Sequence, residues 1–300
     1  MKRLVLLLSF LFVSVSFCLA AHQPPQRRNA CEIKKILAQS AKADCADAEQ
    51  KQINIVLVAR ETTYLPDSHQ YLCWQRKWAN LLTGKSQSNL NCNMYQPTVA
   101  EKDNCGVKVS DAYHWPSEEQ FKNADVIIFY CYVEWNKDRL DRLEKYVRDG
   151  GGLVFLHNTV WTTDSRLADI IGLAFIFDNS KWQEGPFDLS VDTSKDICFA
   201  MPKTIDLCDE VYYQGKGIKN IEPIASWQHT ADDGQITSWP MVWKYNNGKG
   251  RVFVNMIGHY NWTFDDPLFR IITLRGIAWA GKQENIYRFD SLALLDSWVE

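Results

Sequence analysis

The sequence predicts an α/β protein: a doubly wound, mainly parallel sheet with helices between its strands. Three apolar runs carry that prediction, 53–59 (INIVLVA), 124–132 (ADVIIFYCY) and 153–156 (LVFL). Continuous apolar runs of this length suit strands buried on both faces, as in a parallel sheet. Helical patterns separate them, and that alternation is what crossovers between parallel strands require. Polar residues follow each run within two positions, which places polar groups at the carboxyl edge where such sheets bind ligands.

Taken in order, residues 1–20 read as a signal peptide. Lys2 and Arg3 precede the apolar stretch Leu4 to Phe17, and the small residues Ala20 and Ala21 suit cleavage. The expected product is secreted or periplasmic. The run is too short for a stable span and no other is long enough, so no membrane span is expected. Residues 21–50 form a polar leader and a helix over 31–48, with Ile33, Ile36 and Leu37 at helical spacing. An unbroken helix would set Cys31 and Cys45 about 21 Å apart at roughly 1.5 Å per residue, too far to bond. A broken helix would allow that pair.

The main domain is expected over 51–283, with a tail at 284–300. Its first strand, 53–59, ends at Glu61, Thr62, Thr63 and Tyr64. A helix follows from His69 to Leu82, then a polar insertion at 84–104, a short strand at Val107 and Val109, and a helix start at Pro116 to Glu119. After the strand 124–132, Asn136 caps a helix with Leu140, Leu143 and Val147 on one face. Gly150 ends that helix, and the strand 153–156 runs to His157. A short helix, 164–171, closes at Gly172. Strands are expected at 187–191, 211–213, 221–227, 241–245 and 251–257, the last ending at Gly258 and His259. A helix over 266–280 completes the domain.

Net charge is −3 and no block of basic residues stands out, which argues against nucleic acid. The 12 Trp, 12 Tyr and 14 Phe exceed ordinary use, and aromatic rings left over from the core suit the apolar faces of sugars. Of nine cysteines, eight lie beyond the signal. An even number in an exported chain predicts at least three disulfides, with Cys92–Cys105 and Cys198–Cys208 as local pairs and Cys131 as a buried thiol. No Cys-x-x-Cys spacing points to metal instead.

Glu61, Glu134, His157 and His259 all follow strands and can converge at one sheet edge. Two histidines and a carboxylate can hold a divalent metal or share acid–base work. The alternatives are a capping role for His157 and a surface salt bridge for Glu134.

The run VRDGGGLVFLHNTVW, with ADVIIFY before it, DEVYY at 209–213, GKGRVFVNMIGH ending at His259, and FRIITLRGIAWAGK, resembles the ThuA-like, or trehalose-utilisation, family over roughly 52–282. The resemblance implies a flavodoxin-like sheet similar to that of class I glutamine amidotransferases. In those enzymes the strand matching 153–156 ends in a nucleophilic cysteine, where this chain has His157. Cys131 sits on the preceding strand, and Asn261 stands where an acid would follow His259. Glutamine amidotransferase activity is therefore expected to be absent. Family members often carry several histidines near the first helix; here only His69 remains, which lowers the expectation of a metal.

What the resemblance implies is a role in using trehalose or a related glycoside, a small-molecule carbohydrate being the expected partner. His157 and His259 are the expected catalytic centre, with Asp209 or Glu210 in support, Glu210 being the chosen acid. Glu61, Asn158, Trp161, Tyr213 and Trp243 are the expected substrate contacts, core packing being the other role open to the three aromatics. The alternatives are a non-catalytic glycan- or protein-binding module and a metal-dependent hydrolase or lyase. Whether the chain is an enzyme, which cofactor it takes and its oligomeric state stay open at this level.

Overall fold

The computed structural model describes residues 22–43, 51–62, 67–86, 102–104, 106–217 and 219–300. The expected signal peptide, Cys45, the Cys92–Cys105 pair and most of the insertion lie outside the described residues.

Helix α1 spans Ala30–Ala43, and strand β1, Ile53–Ala59, occupies the run INIVLVA. Helix α2, Tyr71–Leu82, starts two residues later than the sequence suggests, because His69 takes a φ of +50° and Gln70 is not helical. Strands β2, Lys102–Asn104, and β3, Val107–Tyr113, follow. Helix α3, Glu118–Asn123, opens on a capping box in which Ser117 and Gln120 satisfy each other's backbone N–H groups. Strand β4, Val126–Phe129, leads to helix α4, Lys137–Asp149, capped by the Asn136 side chain at 3.0 Å from the Arg139 nitrogen. Leu140, Leu143, Tyr146 and Val147 are its buried stripe. Strand β5 is Gly152–Leu156. A Cβ on Gly152 would lie 2.5 Å from the Ala280 carbonyl oxygen, so the close approach of the last helix requires glycine there.

Two short strands, β6 (Trp161–Thr162) and β7 (Phe175–Ile176), pair with each other around helix α5, Arg166–Ile171. Then come β8 (Lys181–Val191), β9 (Thr204–Tyr213), β10 (Glu222–Thr230), β11 (Ile236–Asn247) and β12 (Gly250–Asn255). Helix α6, Pro267–Ala280, is capped by Asp266 and buried along its whole length. Its Arg275 is accommodated because Asp290 and the carbonyls of Ile197 and Phe199 take its donors at 2.7–3.0 Å.

Ten strands form one mixed sheet in the order β2-β3-β1-β4-β5-β12-β11-β10-β8-β9. Its centre, β3-β1-β4-β5-β12, is parallel throughout. The remainder is antiparallel. Parallel character is thus confined to the centre. Strands β8 and β9 are much longer than 187–191 and 211–213 suggest. The first half of β8 is largely exposed, so its polar residues conceal it from an apolar reading. The tail packs against the leader: Val299 bridges to Arg28, and Arg27 lies 4.6 Å over the Trp298 ring. Among the described residues no helix is long and apolar enough to cross a membrane.

The cysteine expectation is corrected. Cys31, Cys131, Cys198 and Cys208 are free thiols, so the Cys198–Cys208 pair does not form. Four free thiols among eight leave too few for three disulfides. Three of them are buried within the sheet or beside it, where they serve as small apolar side chains. Cys73 is disulfide-bonded.

Candidate metal centre

Three histidines reach one point from three loops at the carboxyl edge of the parallel centre. His157 follows β5 directly and opens a tight 3-10 turn, His157–Val160, with a φ of +52°. His259 lies in the loop after β12, and His69 in the loop between β1 and α2. The two outer loops are joined: the His69 N–H donates to the His259 carbonyl at 2.9 Å and the Asn261 N–H to the Asp67 carbonyl at 2.8 Å. Left-handed backbone at a non-glycine residue costs about 1–3 kcal/mol and clusters at functional sites. His69 and His157 both adopt it.

The fourth member comes from the antiparallel ribbon. Strands β8 and β9 pair Trp182 with Tyr212 and Glu184 with Glu210. Side chains alternate between faces with a period of two, so these four share the face turned to the histidines. The Glu210 Oε2 lies 3.3 Å from His157 Nε2 and 3.2 Å from His259 Nδ1, while His157 and His69 meet Nε2 to Nε2 at 2.9 Å. One donor atom from each of His69, His157, Glu210 and His259 falls within 4.8 Å of every other.

Two hydrogen bonds and an ion pair orient three of the four donors. His157 Nδ1 faces the Met256 carbonyl at 3.2 Å; donating there leaves the Nε2 lone pair for the cluster. His259 presents Nε2 to Glu184 Oε1 at 3.5 Å, leaving Nδ1 for the centre. The Tyr212 hydroxyl donates to Glu210 Oε2 at 2.8 Å. Beneath them Asp209 is fully buried. It accepts the N–H groups of Gly258 and His259 at 3.1 and 2.8 Å and the Thr263 hydroxyl, and so fixes the loop that carries His259. Burial raises its pKa against these bonds.

The electrostatics suit metal ligation. Burial, with the charge of His259 adding, holds His69 down at about 3. Burial also holds His157 well below the usual imidazole range, helped by His69 and His259. Both are therefore neutral with lone pairs available. Burial acts downward on His259 too, but the hydrogen bond and charge of Glu210, then the charges of Asp209 and Glu184, outweigh it and raise its pKa.

The cluster opens into a cavity of about 410 Å³ lined by His69, Asn158, Trp161, Glu210, Tyr212 and His259, with Tyr132, Phe177, Asp178, Trp182 and Glu184 towards the rim. Of the residues the sequence singled out, His157, His259 and Glu210 are brought together, and Asn158 and Trp161 line the same cavity. Three are not brought there. Glu61 is exposed and bonded to Tyr113 and to His114, the latter at 3.0 Å. Tyr213 stacks on His229 at 4.8 Å, away from the cavity. Trp243 is fully buried and its indole donates to the Ile171 carbonyl at 2.8 Å, a core role. The sequence reading missed Tyr212, Glu184 and Trp182, and it counted His69 against a metal, whereas the fold seats that lone histidine in the cluster. Tyr212 was recoverable: two residues from Glu210 on a strand, it must share its face.

The model of the trehalose utilisation family matches residues 72–280. Glu210, His157 and His259 lie inside that stretch and His69 just before it. Two solved structures share the fold. A putative ThuA-like protein from Bacteroides uniformis is 16% identical with a TM-score of 0.56, covering 82% of this chain and 95% of its own. One from Parabacteroides merdae is 16% identical with a TM-score of 0.54, covering 77% and 90%. No curated protein matches the chain.

Proposed function

This chain belongs to the trehalose utilisation family, and we propose that it acts on a carbohydrate at a divalent-metal centre made by His69, His157, Glu210 and His259. The observation that carries the reading is the spacing of the donor atoms. Zinc bonds of about 2.0–2.1 Å in a tetrahedron set donors roughly 3.3 Å apart; three of the six separations here are 2.9, 3.2 and 3.3 Å, and all lie within 4.8 Å. A metal held there would polarise a substrate oxygen or acidify a bound water.

The chain's own groups complete the chemistry. Glu184 faces His259 from the cavity side and accepts the Tyr260 hydroxyl, so it can take or return a proton beside the centre. Asn158 donates to the Tyr71 hydroxyl at 2.6 Å, and its Oδ1 is buried without a hydrogen-bond partner among the described residues. That oxygen can accept a sugar hydroxyl. The family's name and the aromatic lining support carbohydrate as the ligand.

The proposal includes three further parts. The order of the five parallel strands, 2-1-3-4-5 in their own chain order, supports a flavodoxin-like core. Glutamine hydrolysis is absent: an imidazole occupies the turn after β5, and burial pushes the Cys131 thiol up to about 12. Export through residues 1–20 rests on their sequence.

The test is a screen of di- and oligosaccharides for turnover, on protein stripped with a chelator and on the same protein resupplied with zinc or manganese. Turnover restored by metal supports the reading. Turnover indifferent to metal would assign the cluster to acid–base work alone, and no turnover or binding of any saccharide would overturn the carbohydrate assignment.

A further inference from the structure

We propose that the aromatic wall leading outward from the histidine cluster is a second-ring subsite, with Trp182 as its platform, so that the ligand is a glycoside of at least two rings. The inference rests on the carbohydrate reading above and deepens it.

Among the described residues six large hydrophobic side chains are exposed: Tyr113, Tyr132, Phe177, Trp182, Phe199 and Ile236. Three of them, Tyr132, Phe177 and Trp182, line this one cavity. Single exposed apolar residues need no explanation, but their convergence in a concave site beside polar groups marks a ligand. Trp182 is 57% exposed, although it faces the site across from Tyr212.

The wall is continuous with the metal centre. Tyr212 stacks on His157 at 5.3 Å and 26°, and Trp161 meets Tyr212 edge-on at 5.2 Å. Phe177 lies 5.1 Å from Trp161, and Tyr132 lies 6.2 Å from Phe177. A ligand held by Glu210, Asn158 and His259 at the inner end would therefore run along aromatic faces to the rim. The rim also carries two carboxylates, Asp178 and Glu184. Flat apolar faces flanked by hydrogen-bond acceptors fit a pyranose ring, whose C–H face is apolar and whose edge is a row of hydroxyls. An alkyl chain would offer those carboxylates no hydroxyl to accept. The cavity of about 410 Å³ falls within the roughly 300–1,000 Å³ of pockets that enclose a drug-sized ligand, the size class of a disaccharide.

The experiment compares Trp182→Ala and Trp182→Phe with the parent protein, all with zinc added. Binding is measured by calorimetry for two-ring probes (trehalose, sucrose, maltose, cellobiose) and one-ring probes (the methyl glucosides). Trp182→Ala removes the platform, so it should weaken the best two-ring probe about two- to tenfold. Trp182→Phe should recover part of that, and one-ring affinity should not change. Equal losses for both classes, or none, would remove the subsite while leaving the carbohydrate reading in place. Failure of the parent protein to bind any probe of either class would overturn both.

Discussion

The parallel centre and the antiparallel ribbon contribute different things to one site. The centre, β3-β1-β4-β5-β12, delivers imidazoles from the loops at its carboxyl edge, each anchored by backbone hydrogen bonds, with His69 and His157 buried. The ribbon β8–β9 delivers Glu210, Tyr212, Glu184 and Trp182 from one face of a register pair. The centre sets nitrogen positions, and burial keeps His69 and His157 neutral, while Glu210 of the ribbon raises the pKa of His259. The ribbon sets charge, and the wall that a ligand would touch. A metal centre divided in this way needs both regions, and each of the following expectations separates them.

The largest effect belongs to the ligands themselves. His157→Ala, from the centre, and Glu210→Gln, from the ribbon, should each weaken zinc binding more than about 100-fold, since residues that only orient ligands already cost 10–100-fold. Competition with a chromophoric chelator measures this. A loss confined to the histidine variant would make the ribbon a neighbour of the site and not a part of it.

Next come two adjacent residues on β9. Tyr212→Phe removes the hydrogen bond that holds Glu210 and should weaken zinc about tenfold. Tyr213→Phe should leave zinc affinity unchanged, because Tyr213 stacks on His229 away from the cavity. Equal effects from the two would contradict the alternation of the ribbon.

Trp243→Phe should do the reverse of a site variant. It leaves the Ile171 carbonyl without its indole donor, so it should cost about 1–3 kcal/mol of stability. Denaturant titration would show this loss alongside unchanged zinc affinity.

The smallest effect separates the histidines by pH in the metal-free protein. His69 is held down at about 3 from 6.5, so between those values the unfolded chain binds the proton that the folded one refuses. Its contribution makes stability fall as pH falls through that range. His259 is raised, so its contribution is fully present below 6.5 and is lost as pH rises through its folded value. His69→Gln should therefore be relatively more stable at pH 5 than at pH 8, and His259→Gln relatively less so. Unfolding curves at both pH values decide the signs.

The same division explains what the sequence revealed. β1 and β5 are legible as apolar runs, because strands buried on both faces leave little choice of side chain. The polar residue after β5, His157, follows from chain order alone. The ribbon is different: a strand half open to solvent mixes Lys181, Trp182, Gln183 and Glu184, and its period cannot be told from a loop. Tyr212 and Tyr213 differ by one residue, which on a strand is a difference of face: Tyr212 lines the cavity and Tyr213 stacks on His229. Glu61 failed for another reason. It does follow β1, but its loop turns the side chain to Tyr113 and His114. His69 illustrates the limit of counting: a single histidine carries no spacing pattern, and the joining of its loop to that of His259 is what brings it into the cluster.

The central claim is that His69, His157, Glu210 and His259 form one metal site. X-ray absorption spectroscopy of the zinc-loaded protein, with metal content measured on the same sample, tests it most directly. The account predicts one zinc per chain in a shell of three imidazole nitrogens and oxygen at about 2.0–2.1 Å. A shell containing sulfur, a shell of oxygen alone, or no stoichiometric metal would contradict it.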